Sequence, residues 1–166
     1  KLKDKNNKVL IPGFYDDVAL PTQKELKDFK KIKNTEKSLK KEGGFFWLGG
    51  GEERFSLNER MWTRPTFDVN GITTGYQEEG SKTIIPAKAS AKVSMRIVPN
   101  QDPEKIYKLF VKYVKSIVPN GMKITFVNHA GSWPYKAPTG ELVFDAIKTC
   151  LSKAFGNKTV FAGMGG

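Results

Sequence analysis

From Ala87 to Ile97 the chain alternates without a break. Ala87, Ala89, Ala91, Val93, Met95 and Ile97 make one row, and Lys88, Ser90, Lys92, Ser94 and Arg96 make the other. Successive side chains of an extended strand point to opposite faces, so the pattern predicts a strand with one apolar and one polar side. A sheet wetted on one face is typical of antiparallel pairing. The apolar row lacks leucine and opens on three alanines, which implies that something bulky packs closely over it. The helix that follows is the natural candidate.

That helix announces its own start. Asp102 is a good N-cap and Pro103 suits the first helical position. Ile106, Leu109, Phe110, Tyr113 and Ile117 recur at helical spacing, with Lys108, Lys112 and Lys115 on the opposite side. Pro119-Asn120-Gly121 stops it, and the alternation of Met122, Ile124 and Phe126 with Lys123 and Thr125 predicts a further strand. After a loop through Gly131–Tyr135, Thr139 is the expected cap of a last helix. Leu142, Val143, Ala146, Ile147, Cys150, Leu151 and Phe155 form its stripe, and Gly156 ends it. Thr159–Ala162 reads as a short closing strand. Upstream, Thr66–Ile72 is strand-like, and a long loop containing Gly75 and Gly80 separates it from the alternating stretch. The order predicts an α+β two-layer sandwich, an antiparallel four-stranded sheet with helices on one face.

The first part of the chain is less regular. Residues 1–9 read as a polar, frayed entry. Pro12-Gly13 interrupts the apolar run from Val9, and Asp16-Asp17, with no histidine or further carboxylate beside them, suit a turn or a cap. Thr22 and Glu25 form a capping box for a helix over 22–33. A polar helical segment follows from Glu36 to Lys41, and Gly43-Gly44 ends it. Phe45–Leu48 is a short apolar cluster, and Phe55–Trp62 is helical or irregular. Gly49-Gly50-Gly51 lacks the Gly-Lys-Ser/Thr spacing of a phosphate loop and reads as a flexible turn.

At 166 residues the chain suits one domain, or one domain plus an arm, and no apolar run approaches the length of a membrane span. A single cysteine excludes an internal disulfide and a cysteine zinc cage; its place on an apolar stripe predicts buried filler. His129 is the only histidine, too few for a His-based zinc site, and reads as a surface or core-edge residue. The net charge of +11 suits an acidic partner or nucleic acid. The surplus is mostly lysines spread one or two at a time, and the polar row from Lys88 to Arg96 carries no ring for base stacking. A small basic nucleic-acid-binding domain is therefore the weaker alternative, and an architectural pairing module is a third reading. Because the chain opens on Lys1 and closes on Gly165-Gly166, it is expected to be an excerpt from a longer protein.

Three stretches stand in order at close spacing: R-P-T-F-D-V-N-G-I from Arg64, G-S-K-T-I-I-P-A-K-A from Gly80, and R-I-V-P-N-Q-D-P from Arg96. Together they resemble the lid, or dimerisation, domain of the zinc-dependent aminoacylase/carboxypeptidase family, which includes carnosinase-like dipeptidases, succinyl-diaminopimelate desuccinylase and acetylornithine deacetylase. The dipeptidase branch is the most similar. The resemblance implies a hydrolase of dipeptides or acyl-amino acids whose catalytic domain holds two zinc ions, with this lid inserted into it and pairing in a homodimer. The zinc ligands are expected outside this chain, which alone would be inactive. Residues 1–65 are then a lead-in segment with short helices, 66–135 the lid, and 136–166 the start of the returning catalytic-domain segment. Arg96 matches the arginine that binds the substrate's carboxylate, a role a guanidinium suits. Thr83 matches a substrate-contacting hydroxyl. Asn70 stands where several branches carry a histidine at the oxyanion, and an amide can still donate there. Gly165 and Gly166 resemble the start of a substrate loop, although Met164 occupies a position where an acidic residue is expected. The expected partners are the parent catalytic domain, the substrate and a second copy, with neither nucleic acid nor membrane, and the expected compartment is the cytoplasm.

Overall fold

The structure, a computed structural model, describes residues 1–44, 46, 50–129 and 131–164. Three short helices come first: α1 (Gln23–Phe29), α2 (Glu36–Gly43) and α3 (Leu57–Thr63). Each starts at a capping box, made by Thr22 with Glu25, Thr35 with Ser38, and Ser56 with Glu59. α1 stops at Phe29, short of the expected 33, because Asn58 of α3 reaches its end. The Asn58 amide donates to the carbonyls of Phe29 (2.8 Å) and Ile32 (2.9 Å). Each of these carbonyls also accepts a backbone N–H of the turn that follows, Phe29 O from Ile32 N at 3.2 Å and Ile32 O from Asn34 N at 3.0 Å, so the Asn58 amide pins a turn that has already left the helix.

Strands β1 (Asp68–Thr74) and β2 (Ala89–Ser94) pair antiparallel. Val69 faces Val93 and Ile72 faces Ala91, but Gly71 faces Lys92, so Asn70 is the extra residue of a β-bulge. The helix α4 (Pro103–Ile117) follows, capped by the Asp102 carboxylate, which accepts from Glu104 N at 2.8 Å. Among the described residues the sheet stops at two strands. The expected third strand at 122–126 forms no ladder. It lies instead against α4 through Phe126, whose ring meets Phe110 edge-on at 5.9 Å, and leaves Met122 and Val127 exposed. The expected fourth, at Thr159–Ala162, folds onto its own helix. There Thr159 N donates to the Ser152 hydroxyl at 3.0 Å, and Phe161 leans on Phe144.

The core lies where the lead-in segment meets the sheet and α4. Val9, Ile11, Phe14, Phe67 and Ile106 are buried together, and Val93, Met95, Ile97, Leu109, Phe110 and Tyr113 pack against them. Gln101 is wholly buried with a partner at each end of its amide: its NH2 group donates to Phe14 O (2.7 Å) while its side-chain carbonyl accepts from Val98 N (2.9 Å). The expected frayed entry is closed. Leu10 N donates to Leu2 O, the Asp4 carboxylate caps the turn, and the Tyr113 hydroxyl donates to Lys1 O at 2.9 Å.

Three expectations about packing need correction. Ala87, Ala89 and Ala91 are exposed, because α4 covers only the Val93–Ile97 end of the ribbon. The last helix, α5 (Leu142–Phe155), starts after Glu141 rather than at a Thr139 cap, with no side-chain cap bond. None of its residues is buried, and Cys150 is exposed rather than filler, since no other described element covers the stripe. Around α1 and α3 a second cluster forms. Phe29 meets Trp62 edge-on at 5.0 Å, residue 163 passes against Trp62, and Lys136 pairs with Glu25 at 2.6 Å.

Candidate functional site

The polar row of β2 and its continuation carry Ser94 and Arg96, while Val93, Met95 and Ile97 between them are packed on the core. That alternation anchors the backbone beneath a row of outward groups. Arg96 is exposed, its carbonyl accepts from Thr66 N at 2.9 Å, and no carboxylate of a described residue pairs with its guanidinium. Five N–H donors in a planar fork are thus available to an incoming carboxylate.

Asn70 is exposed on the bulge, and the Ser94 hydroxyl donates to its Oδ1 at 3.2 Å. The structure therefore brings Asn70 onto the face that β2 shares with Arg96. Asp68, opposite Ser94, is engaged elsewhere: it accepts from the Thr66 hydroxyl at 2.7 Å and pairs with Lys3 at 3.7 Å. Thr83 lies exposed in the irregular connection between β1 and β2, with no hydrogen bond to another described residue. Gly165 and Gly166 lie outside the described residues. His129 is exposed.

Two features were not anticipated from the sequence. One is Ser94, whose role depends on the bulge; the only signal was Asn70-Gly71 inside a strand pattern, where glycine marks irregular pairing. The other is Arg64, 7 % exposed, forked onto Glu52, 4 % exposed, with Nε to Oε2 at 2.5 Å and Nη2 to Oε1 at 3.2 Å. The Arg64 guanidinium also lies 4.4 Å from the Phe55 ring and 5.0 Å from the Tyr15 ring. Burial pushes the Tyr15 hydroxyl above its ordinary value, and that oxygen accepts from Val9 N at 2.9 Å. This arginine is locked into the fold, in contrast to Arg96.

Among the described residues no three of His, Cys, Asp and Glu gather in a geometry that could hold a metal ion. A zinc ion does not fit the described residues.

Residues 14–122 match the family described as the M20 peptidase dimerisation domain. Among curated proteins the chain is 32% identical, over 97% of its length, to a Cys-Gly metallodipeptidase of Schizosaccharomyces pombe, covering 34% of that protein. It is 25% identical, over 93% of its length, to the mouse (Mus musculus) Beta-Ala-His dipeptidase, covering 32% of it. Its fold is similar to that of an M20 family metallo-carboxypeptidase from Sulfolobus solfataricus, with a TM-score of 0.85 at 34% identity, over 99% of this chain and 42% of that one. The chain spans about a third of the length of these curated relatives.

Proposed function

The chain belongs to the M20 peptidase dimerisation-domain family, and from that premise we propose that it is the lid of a longer metal-dependent peptidase acting on dipeptides or acyl-amino acids. The lid holds the substrate's far end and pairs with a second copy. The metal, zinc in this reading, is held by residues outside the described ones, so no peptidase activity is expected of this chain alone. The observation that carries the reading is Arg96. Its guanidinium has no carboxylate partner among the described residues, and it stands just past β2 between Met95 and Ile97, which pack against the core. Arg96 grips the substrate's carboxylate, Thr83 lends a hydroxyl, and Asn70 donates to the developing oxyanion. Gly165 and Gly166 belong to the substrate loop.

In the same proposal 66–135 is the inserted lid, with Val9, Ile11 and Phe14 of the lead-in packed into its core. α1 and α3 of the lead-in meet the returning segment through Trp62 with residue 163 and Glu25 with Lys136. The four-stranded sheet belongs to the same proposal: 122–126, already seated against α4, is the third strand, and the closing strand at Thr159–Ala162 completes the set. The chain is placed in the cytoplasm, which fractionation of the full-length protein tests. Neither the family nor the ring-free polar row favours nucleic acid.

The test is Arg96→Ala in the full-length, metal-loaded protein. A charge-assisted hydrogen bond contributes about 1.5–3 kcal/mol, so KM for a dipeptide should rise roughly ten- to hundredfold with a smaller change in kcat. Arg96→Lys should fall between, because lysine keeps the charge but not the fork. An unchanged KM in Arg96→Ala removes the carboxylate-binding role.

A further inference from the structure

We propose that Ser94 is the positioning residue of the Asn70 amide, fixing which end of that amide faces the substrate; this rests on the reading of Asn70 as an oxyanion donor. A side-chain amide has an accepting oxygen and a donating NH2 group, and an oxyanion is stabilised only by the second. An exposed asparagine free to rotate presents either. Here the Ser94 hydroxyl donates to Asn70 Oδ1 at 3.2 Å, which occupies the oxygen and leaves the two N–H groups as what Asn70 offers.

The contact depends on the bulge. With regular pairing, the residue after Val69 would face Lys92; the extra residue at Asn70 leaves it unpaired in the ladder, and its side chain turns back to Ser94. Bulges re-aim side chains in this way beside functional sites. Ser94 is a firm support because its neighbours Val93 and Met95 are packed on the core, so its backbone cannot shift without disturbing them. Asp68, the cross-strand partner of Ser94, is already bound by Thr66 and Lys3.

The experiment compares Ser94→Ala, Ser94→Thr, Asn70→Ala and the Ser94→Ala/Asn70→Ala double variant in the full-length, metal-loaded protein. Ser94→Ala should lower kcat about three- to thirtyfold with KM nearly unchanged, a fraction of the ~10²–10³-fold that a whole oxyanion donor supplies. Ser94→Thr keeps the hydroxyl and should recover most of that loss. The double variant should be no slower than Asn70→Ala, because Ser94 acts only through Asn70. Losses that multiply, or an unchanged kcat in Ser94→Ala beside an impaired Asn70→Ala, overturn the positioning role. If Asn70→Ala is itself silent, the oxyanion reading falls separately. The crystal structure of Ser94→Ala then decides on orientation: a reoriented Asn70 side chain upholds the role of Ser94, and an unmoved one ends it.

Discussion

Two arginines show how differently one side chain is used. Arg96 stands unpaired among the described residues, whereas Arg64 is buried with both sides of its fork on Glu52 and its plane against two rings. Taking two charges out of water is costly, and only the paired, bidentate geometry offsets it. Removing one partner strands the other, so Arg64→Met should cost about 3–5 kcal/mol, a large part of the ~5–15 kcal/mol that holds a typical domain together. Replacing both, as Glu52→Leu with Arg64→Met, should recover most of it. Urea unfolding checks both variants, and a single-variant loss under about 1 kcal/mol would contradict the account. Arg64 opens one of the three quoted stretches, but its pairing with Glu52 was not marked by sequence context, since twelve positions separate them.

At the scale of elements, what could be read early was local chemistry. Thr22 with Glu25, Asp102 with Pro103, and Gly156 at the end of α5 each act within a few residues, and each sits where its sequence placed it. Even the Ser56–Glu59 box is local, although 55–62 read only as helical or irregular. What could not be read was which apolar stripe finds a partner. Ala89, Ala91 and Cys150 lie on good stripes and are exposed, because burial belongs to the neighbour as much as to the strand or helix. The site divides the same way. Arg96 follows from strand alternation, but the Ser94–Asn70 contact needs a bulge that two-residue periodicity does not describe. The packing between elements yields two predictions. A Cβ at residue 163 would lie 2.3 Å from Trp62 Cβ, so Gly163→Ala should destabilise by about 1–3 kcal/mol in thermal unfolding; an unchanged Tm contradicts the contact. For Glu25, partial burial works to raise its carboxyl, but the Lys136 ammonium and the Thr22 amide and hydroxyl outweigh this and hold it below the usual value. A depressed folded value means that this stabilisation is complete above the ordinary carboxylate range, about pH 4.3, and is lost as pH falls through the folded one. Glu25→Gln should therefore show a shallower stability loss between about pH 5 and 3 than the unmodified protein. Parallel curves would mean the pair contributes nothing.

At the scale of the whole molecule, the α5 stripe is left uncovered by the described residues. Leu142, Val143, Ile147, Leu151 and Phe155 are all exposed, an apolar row of the kind that associates when left bare. The 166-residue chain on its own should therefore sediment as concentration-dependent oligomers. Ile147→Lys with Leu151→Lys should reduce these to a discrete dimer formed through the lid. A monomer at high micromolar concentration in that variant would show that the lid does not pair by itself. The main core has a different consequence, in time rather than in space. Val9, Ile11 and Phe14 are buried against Phe67 and Ile106, and Phe14 is tied to Gln101 across 87 positions. Contacts so distant along the chain close slowly. At about 5–20 residues per second, a ribosome needs several seconds or more between releasing Phe14 and releasing its partners. During that interval the first apolar cluster of the core is made but homeless, and it is where a holding chaperone has reason to bind.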